Sequence, residues 1–143
     1  MYIVSCCLLG INCKYSGGNN RCENVIEFLK NHEFIAVCPE KCGGLSTPRD
    51  PSERIGNKVI SKKGKDVTKE FVLGANISLE NALRMSDEIG EKIECAILKA
   101  NSPSCGVGEI YDGTFEGNLI EGNGVFAEKL IEKGFTVKTE KEF

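Results

Sequence analysis

Short apolar runs separated by helical patterns constrain the fold of this chain more than any other feature. The runs cover residues 2–9, 34–38, 94–99 and 135–139, and the first is apolar on both of its alternating faces. A strand of that kind is typical of a parallel sheet with helices packed on each side. The sequence therefore predicts an α/β fold, a three-layer α/β/α domain with a mainly parallel, roughly four-stranded sheet.

Three helices are predicted from apolar residues that recur at helical spacing. The first follows a capping-box pattern of Asn20 and Glu23 and ends near residue 31. The second covers 68–89, and the third covers 123–133 with Asn123 as its cap. The residues expected to face inward on the second helix are Val72, Ala75, Leu79, Ala82 and Ile89, with Leu83 beside them. On the third helix they are Phe126, Ala127, Leu130 and Ile131.

Two glycine-rich stretches are predicted to be loops that carry small β-hairpins. Residues 39–66 include a polar, hairpin-like piece at 62–65, and residues 102–124 include a second hairpin at 111–115. With 143 residues the chain fits a single domain, 1–143, which is large enough to bury a core without the help of disulfides.

Charge and hydropathy exclude several classes of protein. The formal net charge is −3, so the chain lacks the basic footprint of a general nucleic-acid-binding protein, although small nucleotide-like ligands fit this charge. No apolar run approaches the ~20 residues of a transmembrane helix. The amino-terminal run is not preceded by basic residues, as it would be in a signal peptide, and we expect a cytoplasmic location.

Eight cysteines are unusual in a chain of this kind. Thiols stay reduced in the cytoplasm, so a disulfide scaffold is disfavoured and metal or cluster binding is the better explanation for several of them. Cys7, Cys38 and Cys105 each lie at, or shortly after, the end of a predicted strand. Ligands of open α/β sheets bind beyond the carboxyl ends of the strands, so the sequence predicts a three-thiolate metal pocket there. The spacing alone fits an iron–sulfur cluster and zinc equally well.

The other cysteines receive different predictions. Cys95 is expected to be a small core residue, because free cysteine is often buried. Cys6 should point away from Cys7 unless the strand has already ended, because side chains alternate along a strand. Cys42, four residues after Cys38, is a weaker candidate for an additional ligand.

Glu40 is the best-placed carboxylate because it follows the predicted ligand Cys38 by two residues. A carboxylate beside a metal can act as a general base or acid. The alternative is that it accepts backbone hydrogen bonds in the loop that contains Gly43 and Gly44. The single histidine, His32, is expected to face solvent at the end of the first helix and not to supply the base.

Several blocks of the sequence, in this order along nearly the whole chain, resemble the thiouracil desulfidase family. The blocks are SCCLLG (5–10), KYSGG (14–18), VCPE (37–40), GGL (43–45), PR (48–49), SPSCG (102–106) and IYDG (110–113). The chain differs from the common family pattern at Lys14, Ser16 and Cys6.

The resemblance implies a 4Fe-4S cluster that is held by Cys7, Cys38 and Cys105 and keeps one open iron. It implies that Glu40 and Ser102 are catalytic and that the substrate is a small thiolated pyrimidine. Sulfur would leave as hydrogen sulfide in a hydrolysis without net redox change. Residues expected near the substrate are Lys14, Tyr15, Gly43, Gly44, Arg49 and Ser104.

Two other functions compete with this one. The first is a non-catalytic iron–sulfur or zinc-binding redox sensor whose surplus thiols, Cys6, Cys13 and Cys42, respond to oxidants. The second is a lyase or hydratase that uses an open iron on a hydroxy acid, which should require several arginines near the site. Glu40 and Ser102 favour an enzyme, because a sensor needs neither.

Overall fold

Eight strands and four α-helices make up the computed structural model, which describes residues 1–143. The strands are β1 (Tyr2–Ser5), β2 (Phe34–Val37), β3 (Ser52–Ile55), β4 (Lys58–Ser61), β5 (Cys95–Leu98), β6 (Glu109–Tyr111), β7 (Leu119–Glu121) and β8 (Val137–Thr139). The helices are α1 (Glu23–Leu29), α2 (Pro39–Cys42), α3 (Thr68–Ile89) and α4 (Val125–Glu132). Short 3₁₀ helices cover Cys6–Leu9 and Glu140–Glu142.

Four of the strands form one parallel sheet in the order β2-β1-β5-β8. Side chains alternate between its faces, so Ile3 packs with α3 and α4 while Val4 packs with α1. Helices therefore cover both sides of the sheet. This confirms the predicted three-layer α/β fold with a four-stranded parallel sheet.

The first strand is shorter than the predicted 2–9. It ends at Ser5, and a 3₁₀ turn over Cys6–Leu9 follows, closed by Gly10 in the left-handed region at φ 90°. Successive side chains on a 3₁₀ helix are separated by about 120° and not by the 180° of a strand. Cys6 and Cys7 can therefore face the same region.

The predicted bounds of α3 are confirmed, and Gly90 ends the helix with a φ of 70°. Its predicted inward stripe is partly wrong, because Val72, Leu83 and Ile89 are exposed. Ala75, Leu79 and Ala82 are buried as predicted, and Phe71 and the small residues Gly74 and Ser78 are buried in addition. The long helix packs closely against α2 and the sheet, and close packing selects small side chains that a search for large apolar residues overlooks. None of the helices combines the length and the apolar character that crossing a membrane requires.

Both predicted asparagine caps are wrong. Cys22 is the N-cap residue of α1, and Gly124 is that of α4. Asn123 is engaged elsewhere, since its Oδ1 accepts a hydrogen bond of 2.9 Å from the backbone N–H of Gly108. Ile131, predicted to face inward on α4, is exposed.

Two antiparallel hairpins leave the sheet, as predicted, but their positions differ in detail. β3 pairs with β4 around a turn at Gly56, whereas the predicted turn at 62–65 lies after β4. β6 pairs with β7, and the predicted 111–115 segment covers the end of β6 and the start of the loop between them. Both hairpins pack at the end of the sheet where the parallel strands finish.

The one-turn helix α2, which was not predicted, is pressed against α3 through two glycines. A Cβ atom at Gly74 would lie 1.7 Å from the carbonyl oxygen of Pro39, and one at Gly43 would lie 1.9 Å from that of Glu70. Neither position can carry a side chain without moving the backbone of the facing helix. This contact fixes the segment that follows β2.

Candidate active site

A cavity of about 490 Å³ lies at the carboxyl ends of β1, β2 and β5. Its walls come from the turn after β1, the start of α2, the segment after β5 and the two hairpins. The thiols of Cys7, Cys38 and Cys105 all line it. Three positions that are far apart in sequence are thus brought to one edge of the sheet.

Local structure positions each of these thiols. Cys7 lies in the 3₁₀ turn, and Cys38 is the N-cap residue of α2, where Pro39 at the first helical position has a suitable fixed φ. Cys105 is buried in a turn that Ser102 stabilises. The Ser102 Oγ atom accepts hydrogen bonds from the backbone N–H groups of Ser104, at 3.1 Å, and Cys105, at 2.9 Å.

The surroundings of the thiols shift their pKa values in different directions. A hydrogen bond from the Cys13 thiol lowers the pKa of Cys38 to about 6 and also lowers the pKa of Cys7. The same contacts raise the pKa of Cys13. Burial raises the pKa of Cys105 to about 12. Metal binding requires thiolates, so Cys105 must release a proton before it can ligate.

Two further thiols, those of Cys6 and Cys13, also line the cavity. Cys6 reaches it because β1 ends at Ser5. The sequence analysis named Cys13 only as a surplus thiol of a redox sensor and did not place it in the site, although it directly precedes the KYSGG block. Cys42 lies outside the cavity, and Cys95 is buried in the sheet, as predicted. No three His, Cys, Asp or Glu side chains converge closely enough to hold a single metal ion.

Both oxygens of the Glu40 carboxylate are held by side chains. Oε1 accepts a hydrogen bond of 3.1 Å from Arg49 Nε, and Oε2 accepts one of 2.8 Å from Ser104 Oγ. No backbone N–H from the loop at Gly43 and Gly44 donates to this carboxylate. The carboxylate is turned toward the cavity and is not used to brace that loop.

Arg49 connects three segments around the cavity. In addition to Glu40, it donates through Nη2 to the carbonyl oxygen of Cys13 at 2.9 Å, and through Nη1 to Ser46 O and Thr47 Oγ1. The ion pair with Glu40 is nearly buried. Arg49 therefore fixes the carboxylate relative to the loop that carries Cys13.

A chain of hydroxyl groups connects Ser102 to Glu40. The two backbone N–H groups of the turn occupy the lone pairs of Ser102 Oγ, so its hydrogen is directed to Ser104 Oγ at 2.9 Å. Ser104 Oγ in turn donates to Glu40 Oε2. Ser104 is only 3% exposed, which shields the chain from bulk water.

The remaining predicted site residues divide into two groups. Lys14 and Tyr15 line the cavity, with Lys14 Nζ 5.8 Å from the centre of the Tyr15 ring. Gly43 and Gly44 do not line it: Gly43 packs against α3, and Gly44 is exposed at φ 94°.

Sequence reasoning missed the contribution of the hairpins. Glu53 on β3, together with Tyr111 and Phe115 on the β6–β7 hairpin, also lines the cavity. Strand alternation in such short, mostly polar segments gives no sign that they fold back over the sheet edge. Only the IYDG block, which includes Tyr111, indicated that this region is special.

Comparisons with known proteins agree with this arrangement. The model of the 2-thiouracil desulfurase family matches residues 2–142. The chain is 39% identical over 152 residues to the uncharacterized protein YbbK of Bacillus subtilis (strain 168), covering 99% of this chain and 97% of YbbK. It is also similar to the solved structure of the 4Fe-4S-dependent thiouracil desulfidase TudS, with a TM-score of 0.89 and 40% identity over 99% of this chain and 91% of the TudS chain. The resemblance seen in the sequence blocks is confirmed, and the chain belongs to the 2-thiouracil desulfurase family.

Proposed function

We propose that this protein is an iron–sulfur-dependent desulfidase that hydrolyses the C–S bond of thiolated uracils and releases hydrogen sulfide without net redox change. The observation that carries the proposal is the meeting, in one cavity, of three thiols with the hydrogen-bonded Glu40–Ser104–Ser102 chain. Family membership and the similarity to TudS support it.

The donor set fits a 4Fe-4S cluster. Cys7, Cys38 and Cys105 would each hold one iron, since such clusters are bound by cysteine thiolates. The thiols surround a cavity and do not converge on a single-ion position, which suits a polynuclear cluster better than one zinc ion. When bound through three thiolates, the cluster supplies an open iron, a Lewis acid for the soft thiocarbonyl sulfur.

The residues of the chain supply the proton transfers. Glu40 accepts a proton from the water that attacks the thiocarbonyl carbon, and its ion pair with Arg49 holds the carboxylate in position at the cavity. Ser102 donates to Ser104 and Ser104 donates to Glu40 Oε2, so the hydroxyl chain orients the carboxylate that takes up the proton and returns it to the departing sulfur. The water oxygen becomes the new carbonyl oxygen, and both water protons leave with sulfur as hydrogen sulfide.

The competing redox-sensor function draws on the surplus thiols of Cys6 and Cys13 in the cavity wall. Such a sensor has no use for a carboxylate that is held by an arginine and connected to two serine hydroxyls. The hydratase alternative needs arginines for substrate carboxylates, but Arg49 is engaged with Glu40, and Arg54 pairs with Glu128 away from the cavity.

Anaerobically purified protein should be brown, contain about four irons and four sulfides per chain, and release one sulfide per uracil formed from 2-thiouracil or 4-thiouracil. Iron and acid-labile sulfide are measured by colorimetry, and uracil is measured by chromatography. Stoichiometric zinc without labile sulfide would contradict the cofactor, and fully loaded protein that leaves both thiouracils intact would contradict the activity.

Replacing Ser104 with Ala should lower kcat by about 10- to 100-fold, because it interrupts the hydroxyl chain between Ser102 and Glu40. Iron content should stay unchanged, since Ser104 is not a ligand in the proposed set. Ser78→Ala is the matched control, because Ser78 is also fully buried but its hydroxyl has no hydrogen-bond partner and lies away from the cavity. A Ser104→Ala variant with the kcat of the unmodified protein would show that the hydroxyl chain has no part in the reaction.

A further inference from the structure

Glu53 is a nearly buried carboxylate for which the proposed chemistry has no role. It lies on β3, is 8% exposed and lines the same cavity as the thiols and Glu40. A buried carboxylate is costly unless hydrogen-bond donors compensate for the lost water. The partners of its two oxygens therefore indicate what it is for.

One oxygen of Glu53 is occupied by the protein. Oε1 accepts hydrogen bonds from the backbone N–H groups of Gly113, at 2.9 Å, and Phe115, at 3.0 Å. Both donors belong to the tip of the β6–β7 hairpin, where Gly113 has a φ of 98° and Phe115 a φ of 60°. This oxygen holds the hairpin tip in place over the cavity.

The other oxygen is free. No hydrogen bond or ion pair joins Oε2 to any residue, and it is not among the side-chain atoms that are sealed inside the protein without a partner. Since the Glu53 side chain lines the cavity, Oε2 is an acceptor open to whatever the cavity binds. A ligand there should present an N–H or O–H group.

The neighbouring side chains indicate the shape of that ligand. Phe115, held by Glu53, lines the cavity together with Tyr111 from the same hairpin. Aromatic rings bind planar heterocycles by stacking. A planar ring that carries an N–H group matches both the aromatic wall and the free carboxylate oxygen.

We propose that Glu53 Oε2 accepts the N3–H of the thiouracil ring and makes the site selective for uracil-type over cytosine-type thiones. This inference rests on the proposed function. N3 is bonded to the thiocarbonyl carbon in both 2-thiouracil and 4-thiouracil, and it keeps its hydrogen when N1 is substituted. In 2-thiocytosine, N3 carries a lone pair instead, which a carboxylate repels.

Glu53→Gln tests the proposal without releasing the hairpin. The glutamine Oε1 can still accept from Gly113 and Phe115, while Nε2 replaces the free acceptor by a donor. Loss of one charged hydrogen bond to the ring should lower kcat/KM for 4-thiouracil by about 10- to 100-fold, mainly through KM, with iron content unchanged. The unmodified protein should accept 1-methyl-4-thiouracil but lose a similar factor with 3-methyl-4-thiouracil. Glu109→Gln, at an exposed glutamate on β6, is the matched control.

Equal kcat/KM values of Glu53→Gln and the unmodified protein for 4-thiouracil would overturn the proposal. So would a decrease in kcat without a change in KM. A larger decrease in kcat/KM for 1-methyl-4-thiouracil than for 3-methyl-4-thiouracil in the unmodified protein would also overturn it. Binding of uracil and 3-methyluracil, measured by calorimetry, tests ring recognition without any sulfur chemistry. Uracil should bind about 10-fold more weakly to Glu53→Gln, and equal binding would overturn the inference. If uracil binding depends on Glu53 but neither thiouracil is desulfurated, the proposed function fails and the inference stands.

Discussion

Cys7→Ser, Cys38→Ser and Cys105→Ser should each give a colourless protein with no bound iron and no sulfide release. A serine hydroxyl does not replace a thiolate as an iron ligand, and a three-thiolate set has no spare member. Each of the three residues lines the cavity, so we expect the loss of iron and of sulfide release to be complete in all three variants. The visible absorbance of the protein, its iron content and its release of sulfide are measured on anaerobic preparations.

Four other cysteines serve as controls for this prediction. Cys22→Ser should keep iron and activity, since Cys22 is the N-cap residue of α1, where serine is a better cap. Cys95→Ser should keep iron, because Cys95 is buried in the sheet away from the cavity. Cys6→Ser and Cys13→Ser are the sharper tests, because both residues line the cavity. Loss of iron in either variant would mean that the cluster has more cysteine ligands than the three proposed.

Glu40→Gln should retain the cluster and bind 4-thiouracil, yet release sulfide about 10²- to 10⁴-fold more slowly, the usual cost of losing a general base. Glutamine keeps the shape of the side chain and can still accept a hydrogen bond from Ser104, but it cannot take up a proton. The comparison of kcat with iron content separates the base role from a structural one.

Near-normal turnover by an iron-loaded Glu40→Gln variant would mean that Glu40 only orients Arg49 and the loop of Cys13. Arg49→Lys then becomes informative, because lysine keeps the charge but cannot bridge Glu40, Cys13 and Thr47 at once. Slow turnover by Arg49→Lys together with normal turnover by Glu40→Gln would mean that Arg49 acts by positioning the loop that carries Cys13.

The sequence allowed the sheet and its order of elements to be predicted because apolar periodicity is a local signal. The runs at 34–38 and 94–99 match β2 and β5 within a residue or two, and the 68–89 pattern matches α3. The overextension of β1 has a physical cause. Cys6 to Leu9 are apolar enough for a strand, but Gly10 in the left-handed region allows a 3₁₀ turn, and apolar composition does not distinguish the two.

The site could be predicted only where its residues follow strand ends. Cys7, Cys38 and Cys105 were grouped in this way, because each lies at, or shortly after, the end of a predicted strand. The connection of Ser102 through Ser104 to Glu40 depends on which lone pairs the backbone occupies, and this follows from the turn and not from the residue types. Glu53 was missed because its position depends on a hairpin folding back over the sheet.

The close contact between α2 and α3 has a consequence for how such a site can diversify. Cys38 is the N-cap residue of the one-turn helix that carries Glu40, and this helix is closely packed because Gly43 and Gly74 leave no room for side chains between the backbones. A shift of this helix would therefore move the proposed ligand Cys38 and the proposed base Glu40 together. Side chains of the two hairpins also line the cavity and are not tied to this contact, so variation in what the cavity binds is expected there. The side of the cavity that α2 forms is therefore expected to tolerate few substitutions, and the side that the hairpins form is expected to tolerate more.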